Sequence, residues 1–172
     1  MKLEELKCIS DNVNIDDYLK LNKYVRDNME YPEWLGTFEK DEIIDILSIG
    51  GKIWLYYNDL DLVCSCFYIP SSNKSLRKHN IEYDEEVTGS LGPIMVSPDY
   101  IGNGYQIEMQ KVFNDYCKSI GKKYIFTKVH ADNVYSIKNI LKDGYVETDY
   151  YETERGMNKA YIKKLEVRYD RN

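Results

Sequence analysis

The stretch that most constrains this chain is Val96-Ser97-Pro98-Asp99-Tyr100-Ile101-Gly102-Asn103-Gly104-Tyr105-Gln106. The apolar run Ile94-Met95-Val96 enters it, and Pro98 ends that run. A polar turn with two glycines follows. Apolar residues then recur at Tyr105, Met109, Val112, Phe113, Tyr116 and Ile120, one face at the helical period. The order is strand, glycine turn, helix. A helix start leaves its first N–H groups without partners and is the positive end of the helix dipole. Glycine there lets the backbone approach an anion closely. The stretch therefore reads either as a seat for phosphate or pyrophosphate or as a turn that simply starts a helix. It carries neither the Gly-Lys-Ser/Thr of a P-loop nor a full Gly-x-Gly-x-x-Gly.

A second block lies downstream: Asn133-Val134-Tyr135-Ser136, then Gly144-Tyr145. Together the two blocks resemble the GNAT superfamily of acyl-CoA N-acyltransferases. Its Arg/Gln-x-x-Gly-x-Gly/Ala signature follows a strand ending in a Val-x-Pro type sequence, and its later helix carries Asn-x-x-Ser/Ala before Gly-Phe/Tyr. The signature falls on residues 101–106. Gly104 takes the first glycine, Ile101 stands where Arg or Gln is usual, and Gln106 stands where Gly or Ala is usual. The resemblance covers residues 85–165 well and the N-terminal half loosely. It implies an α/β (α+β) fold, with a mixed, mostly antiparallel central sheet, one parallel splayed strand pair and flanking helices.

The 172 residues suit one domain spanning 1–172 with a real core. No run of apolar residues is long enough to span a membrane, and the acidic start Met1-Lys2-Leu3-Glu4-Glu5 lacks an apolar signal region. A cytoplasmic location is expected. Cys64-x-Cys66 has the wrong spacing for a zinc ribbon and there are only two histidines, so no metal site is expected, and Cys8, Cys64, Cys66 and Cys117 read as free, mostly buried thiols. The net charge of −6 argues against a nucleic-acid surface. Residues 102–142 nevertheless hold seven lysines against three acids, a surplus of four that leaves the remainder at −10. A basic segment around the glycine turn suits an anionic cofactor, and an acidic remainder suits a cationic amine; solvated helix faces account for most of the lysines.

Along the chain, the pattern predicts a short strand at 6–9, a helix over 16–29, an aromatic loop at 31–36 and a helix over 40–48 closed by Gly50-Gly51. Strands at 52–57 and 62–68 flank the polar loop Asn58-Asp59-Leu60-Asp61. Residues 70–84 read as a polar surface loop or insertion. The strand over 85–96 contains Gly89, Gly92 and Pro93, which implies a bulge or break. After the helix at 103–120 come a strand at 122–130, a helix capped by Asp132 or Asn133 with Val134, Ile137, Ile140 and Leu141 inward, and strands at 145–152 and 159–167. The helical crossover after the strand at 85–96 predicts a parallel pair.

The resemblance implies an N-acetyltransferase that uses acetyl-CoA and a primary amine of a small molecule, amino acid or peptide. A non-catalytic acyl-CoA-binding module or sensor on the same fold is the alternative. Charge and the lack of a long apolar run argue against nucleic-acid and membrane partners, and the resemblance leaves monomer and homodimer open with family habit favouring the dimer. For the cofactor it points to Met95 and Val96 for the pantetheine arm, Ile101, Gly102, Asn103, Gly104, Tyr105 and Gln106 for the pyrophosphate, and Asn133 and Ser136 for further hydrogen bonds. Many relatives place a tyrosine four residues before the Gly-Phe pair as proton donor, a position held here by Ile140; Tyr135 and Tyr145 are the substitutes. Acyl transfer also needs a base for the amine. Glu86 is the first candidate, with a plain surface carboxylate as its other reading, and His130 the second. Tyr31 and Trp34 are expected on the acceptor side, where anchoring the loop to the core is the competing role.

Overall fold

A computed structural model describes residues 1–166. The described strands form a seven-stranded sheet in the order β1-β2-β3-β4-β5-β7-β6. It is mostly antiparallel with one parallel pair, β4 and β5, and helices flank it, which is the expected mixed α/β class. By contacts the chain falls into two compact units: residues 1–70 with 91–113, and residues 71–90 with 114 onward. Among the described residues, no helix is long and apolar enough to cross a membrane.

The first unit holds β1 (Lys7–Ile9), α1 (Ile15–Asp27), α2 (Lys40–Ser48), β2 (Lys52–Asn58) and β3 (Asp61–Pro70). It also holds the end of β4 (Thr88–Val96) and the start of α4 (Tyr105–Ser119). α1 starts where Asn14 accepts the amides of Asp16 and Asp17, an N-cap that satisfies two of the helix's orphan donors. Tyr18 and Leu21 of α1, Ile43 of α2, Ile53, Leu55 and Phe67 of the strands, and Met95 of β4 make one buried cluster. Burying side chains of this size contributes roughly 1.5–3 kcal/mol each before entropy is subtracted. Asn22 sits buried beside them, its amide donating to the Gly36 carbonyl at 3.0 Å and to Met95 Sδ at 3.5 Å. Gly92 is where β4 approaches β3: an added Cβ would lie 2.9 Å from the Phe67 carbonyl oxygen.

The β2–β3 hairpin is tighter than the polar loop suggested. Asn58 pairs with Asp61, leaving only Asp59 and Leu60 in the turn. Asp59 has φ +52°, the sign that a two-residue type II′ turn has at its first central residue. A register shift between Tyr56 and Tyr57 absorbs the difference.

The second unit holds α3 (Asn73–Lys78), the start of β4, the rest of α4, β5 (Tyr124–His130), α5 (Val134–Lys142), β6 (Val146–Thr153) and β7 (Gly156–Lys164). The reading of 70–84 as a loop is corrected here. Ser72 caps α3 by accepting the Ser75 amide, and Leu76 and Ile81 are buried against Phe126 and Ala160. A helix this short carries a single fully buried residue, too few to show a period. In α5 the inward set shrinks to Ile137 and Ile140, because Val134 and Leu141 are more than half exposed. β7 begins three residues earlier than predicted, at Gly156, where a tight turn pairs it with Thr153. It ends at Lys164, and the predicted terminal residue Val167 lies outside the described residues. Of the four cysteines, Cys64, Cys66 and Cys117 are buried and Cys8 is exposed, all as free thiols.

Candidate functional site

In the first unit, β4 delivers Met95 and Val96 to residues 97–104. Met95 is buried and Val96 half-buried. The Ser97 amide donates to the Val63 carbonyl at 2.8 Å, which holds the strand end against β3. A 3-10 turn, Pro98–Tyr100, follows. Pro98 is suited to its first position, where a missing N–H costs nothing. Gly102 and Gly104 have φ of +93° and +76°, with nothing within 4 Å of where a Cβ would stand. They are glycines for their backbone shape, and the space beside them is open. Between them Asn103 folds back, its amide donating to the Tyr100 carbonyl at 2.9 Å.

α4 then begins. The Glu108 amide donates to the Gly104 carbonyl at 3.2 Å, so the amides of Tyr105, Gln106 and Ile107 precede the helical ladder. Tyr105 anchors the helix start: it is buried, and its phenol donates to the Met1 carbonyl at 3.0 Å. Gln106 is half-buried. Ile101 is 71% exposed, so the place where a cationic or amide side chain is usual presents a bare aliphatic group instead. The turn can offer an anion backbone N–H groups, a helix dipole and room for close approach, but no side-chain charge at that position.

The turn's neighbours include a residue that sequence reasoning missed. The Tyr24 phenol donates its one proton to the Asp99 carboxylate in a bifurcated hydrogen bond, its oxygen 3.0 and 3.1 Å from Oδ1 and Oδ2. That bond and the carboxylate's charge hold the Tyr24 proton above its ordinary pKa. The two residues are 75 apart in sequence, and no local pattern announces the pair.

The structure places Tyr31 and Trp34 in one stack, with ring centroids 4.7 Å apart, around the 3-10 turn Pro32–Trp34. Tyr31 remains exposed, and the carboxylates of Glu30 and then Glu33 push its phenol pKa up.

In the second unit, Asn133 caps α5, its Oδ1 accepting the Ser136 amide at 3.2 Å. Tyr135 is 77% exposed. Ile140, at the place of the usual tyrosine, is buried, and so is Tyr145, whose ring lies 5.6 Å from the Lys163 ammonium. Glu86 is exposed in the turn before β4, its carbonyl accepting from Lys122 Nζ at 3.2 Å. His130 is buried with both ring nitrogens engaged: Nδ1 accepts the Asp132 amide at 3.2 Å, and Nε2–H donates to the Arg155 carbonyl at 2.9 Å. Those bonds hold the ring in place and give it a structural role. Among the described residues, no group of three or more His, Cys, Asp or Glu is placed to hold a metal ion.

A sheet of this order with its one parallel pair, and a strand that passes through a glycine turn into a helix, is the fold of the GNAT N-acetyltransferases. Solved structures of that fold match nearly the whole chain. The ribosomal-protein-S18-alanine N-acetyltransferase from Escherichia coli aligns over 96% of this chain and 97% of its own, at 11% identity and a TM-score of 0.69. An N-acetyltransferase from Staphylococcus aureus aligns over 93% and 99%, at 13% identity and 0.66. A GNAT family acetyltransferase from Elizabethkingia anophelis, solved with acetyl-CoA bound, aligns over 94% and 99%, at 12% identity and 0.64. No family model matches the sequence, and no curated protein matches it. At these identities the likeness is one of fold.

Proposed function

We propose that the chain is an acetyltransferase that moves an acetyl group from acetyl-CoA to a primary amine of a small molecule, amino acid or peptide. The observation that carries this reading is the turn before α4. Two glycines of positive φ stand there beside open space, directly ahead of amides outside the helical ladder. Such a turn suits a pyrophosphate, and one solved neighbour of the same fold holds acetyl-CoA. When bound, the cofactor supplies the activated acetyl thioester. On the protein's side, the amides of residues 102–106 are assigned to the pyrophosphate, and the β4 backbone at Met95 and Val96 to the pantetheine arm. The assignments of Asn133 and Ser136 to the cofactor, and of Glu86 and Tyr135 to proton transfer, rest on sequence position and resemblance. The exposure of Glu86 and Tyr135 is compatible with proton exchange through water.

A non-catalytic acyl-CoA-binding module is the second reading. Ile140, where a proton-donating tyrosine is usual, is buried, and Ile101 offers the turn no charge. Calorimetry with acetyl-CoA, using wild type and Gly104→Asp, tests the cofactor site. Coenzyme A release with and without a panel of amines then separates the two readings. Binding lost in the variant, with amine-dependent release, supports transfer; binding with no release under any amine supports the module; no binding removes both.

A further inference from the structure

In the second unit, three cations gather on one face of the sheet, in a chain whose net charge is −6. Lys128 of β5 lies opposite Ala160 of β7, and Ala160 lies opposite Asp149 of β6, so the three share that face. The Lys128 ammonium stands 6.0 Å from the Phe126 ring centroid. The His79 ring stacks on the same Phe126 at 5.6 Å, and Lys78, the last residue of α3, directly precedes His79. Arg155 comes from the β6–β7 turn. Its charge acts on Lys128 and also on the Tyr151 phenol, which belongs to the same face. Burial first, and then the charges of Lys78 and Arg155, hold the Lys128 ammonium below the usual lysine range. Its side chain still reaches solvent, as do those of Lys78 and Arg155.

A second observation concerns the acids. Among the described residues, none of the three cations has a carboxylate within ion-pair distance. Asp149 is engaged by His79, Nδ1 lying 3.0 Å from Oδ2. Glu147 is engaged by Lys159 at 2.9 Å. Glu152 pairs with Met157, and strand alternation turns it to the opposite face. Glu154, beside Arg155 in the turn, makes no ion pair with it. The backbone that carries the cations is pinned. Buried His130 donates from Nε2 to the Arg155 carbonyl at 2.9 Å, and the Arg155 amide donates to Thr153 Oγ1 at 3.2 Å. Like charges held together on fixed elements repel, and an anion set among them relieves that repulsion at little cost in ordering. A carboxylate offers one charge and two oxygens. A phosphate monoester offers close to two charges and three acceptor oxygens, which suits three cations that include a guanidinium fork.

We propose that Lys78, Lys128 and Arg155 together bind the phosphate group of a small phosphate monoester. The proposal does not rest on the transferase reading, because it concerns the free protein and is tested without acetyl-CoA. The test is a calorimetric titration of the full chain with glycerol 2-phosphate at fixed ionic strength, beside uncharged glycerol and the monoanion acetate. Saturable one-to-one binding of the ester is expected, with none of glycerol and acetate at least about tenfold weaker. No saturable binding of the ester, or acetate bound equally well, would overturn it. Lys128→Gln and Arg155→Gln should each weaken the ester about tenfold, and Lys78→Gln about threefold. Lys118→Gln makes the same charge change at an exposed position on α4 and should leave binding unchanged. Circular dichroism checks each fold. Affinity unchanged in folded Lys128→Gln, Arg155→Gln and Lys78→Gln would put the phosphate elsewhere, the glycine turn included, and sinks the proposal while leaving the acetyl-CoA reading untouched.

Discussion

Tyr24 on α1 reaches both carboxylate oxygens of Asp99, at 3.0 and 3.1 Å, and so ties the first helix to the turn that leads into α4. The bond joins a residue at the head of the candidate anion seat to one that no sequence motif includes. Its first consequence is a titration. The Asp99 carboxylate makes the phenol harder to deprotonate, so its proton is held to higher pH than usual. Removing the charge with Asp99→Asn should lower the Tyr24 pKa towards that of an ordinary tyrosine. Tyrosine-resolved NMR across the alkaline range reads this directly, and a midpoint that does not move means the pair is not formed in solution.

The glycine turn separates shape from charge. Gly104→Ala puts a methyl into open space at φ +76°, so its cost is the left-handed backbone alone, about 1–2 kcal/mol. Urea denaturation should show that loss with the fold intact and acetyl-CoA binding weakened modestly. Gly104→Asp should lose comparable stability and lose acetyl-CoA binding altogether. Equal binding by the two variants would mean that no phosphate approaches this turn.

Leu76 tests the segment that sequence alone presents as a loop. It is fully buried with Ile81, Phe126 and Ala160, and Leu76→Ala should cost about 2–5 kcal/mol in urea denaturation. Exposed loop substitutions cost a few tenths, about 0.5 kcal/mol at most. A loss of that small size would put α3 outside the folded unit.

Asn133 has one role visible in the structure and another that the resemblance suggests. As the N-cap of α5 its side chain accepts the Ser136 amide. Asn133→Ala should cost about 1 kcal/mol of stability, and Asn133→Ser should restore most of it. If the serine variant recovers stability but acetyl-CoA titrates several-fold weaker, Asn133 also touches the cofactor. Full recovery of both confines it to capping.

The elements most legible in the sequence were those with long periods or sharp punctuation. The face of α4 was read from Tyr105, Met109 and Phe113, all buried in the structure, and Gly102 and Gly104 marked a turn that does require positive φ. Short elements were not legible. α3 offers only Leu76 to the core, and its cap Ser72 looks like any polar loop residue. The outward positions of Val134 and Leu141 were misread because α5 buries a narrow strip through Ile140, not a broad face. The grouping of Lys78, Lys128 and Arg155 was not legible at all. Their elements meet only through the pairing of β5, β7 and β6 and the packing of α3, and contacts at that distance leave no local trace.

The uneven burial of the cysteines gives this protein a built-in attachment point. Burial pushes the thiols of Cys64 and Cys117 up to about 12, so they stay protonated and shielded from reagents. Cys8 alone is exposed, on β1 at the edge of the sheet; partial burial raises its thiol pKa too, against the lowering effect of the Tyr56 hydrogen bond and of Lys52, so it is labelled at alkaline pH. A maleimide dye or spin label should therefore go to a single address without mutagenesis, on a strand neighbouring Lys7 and Ile9, whose side chains line the hollow beside Asp17 and Tyr57. The chain carries its own reporter position, and occupancy of that region can be followed by spectroscopy on unmodified sequence.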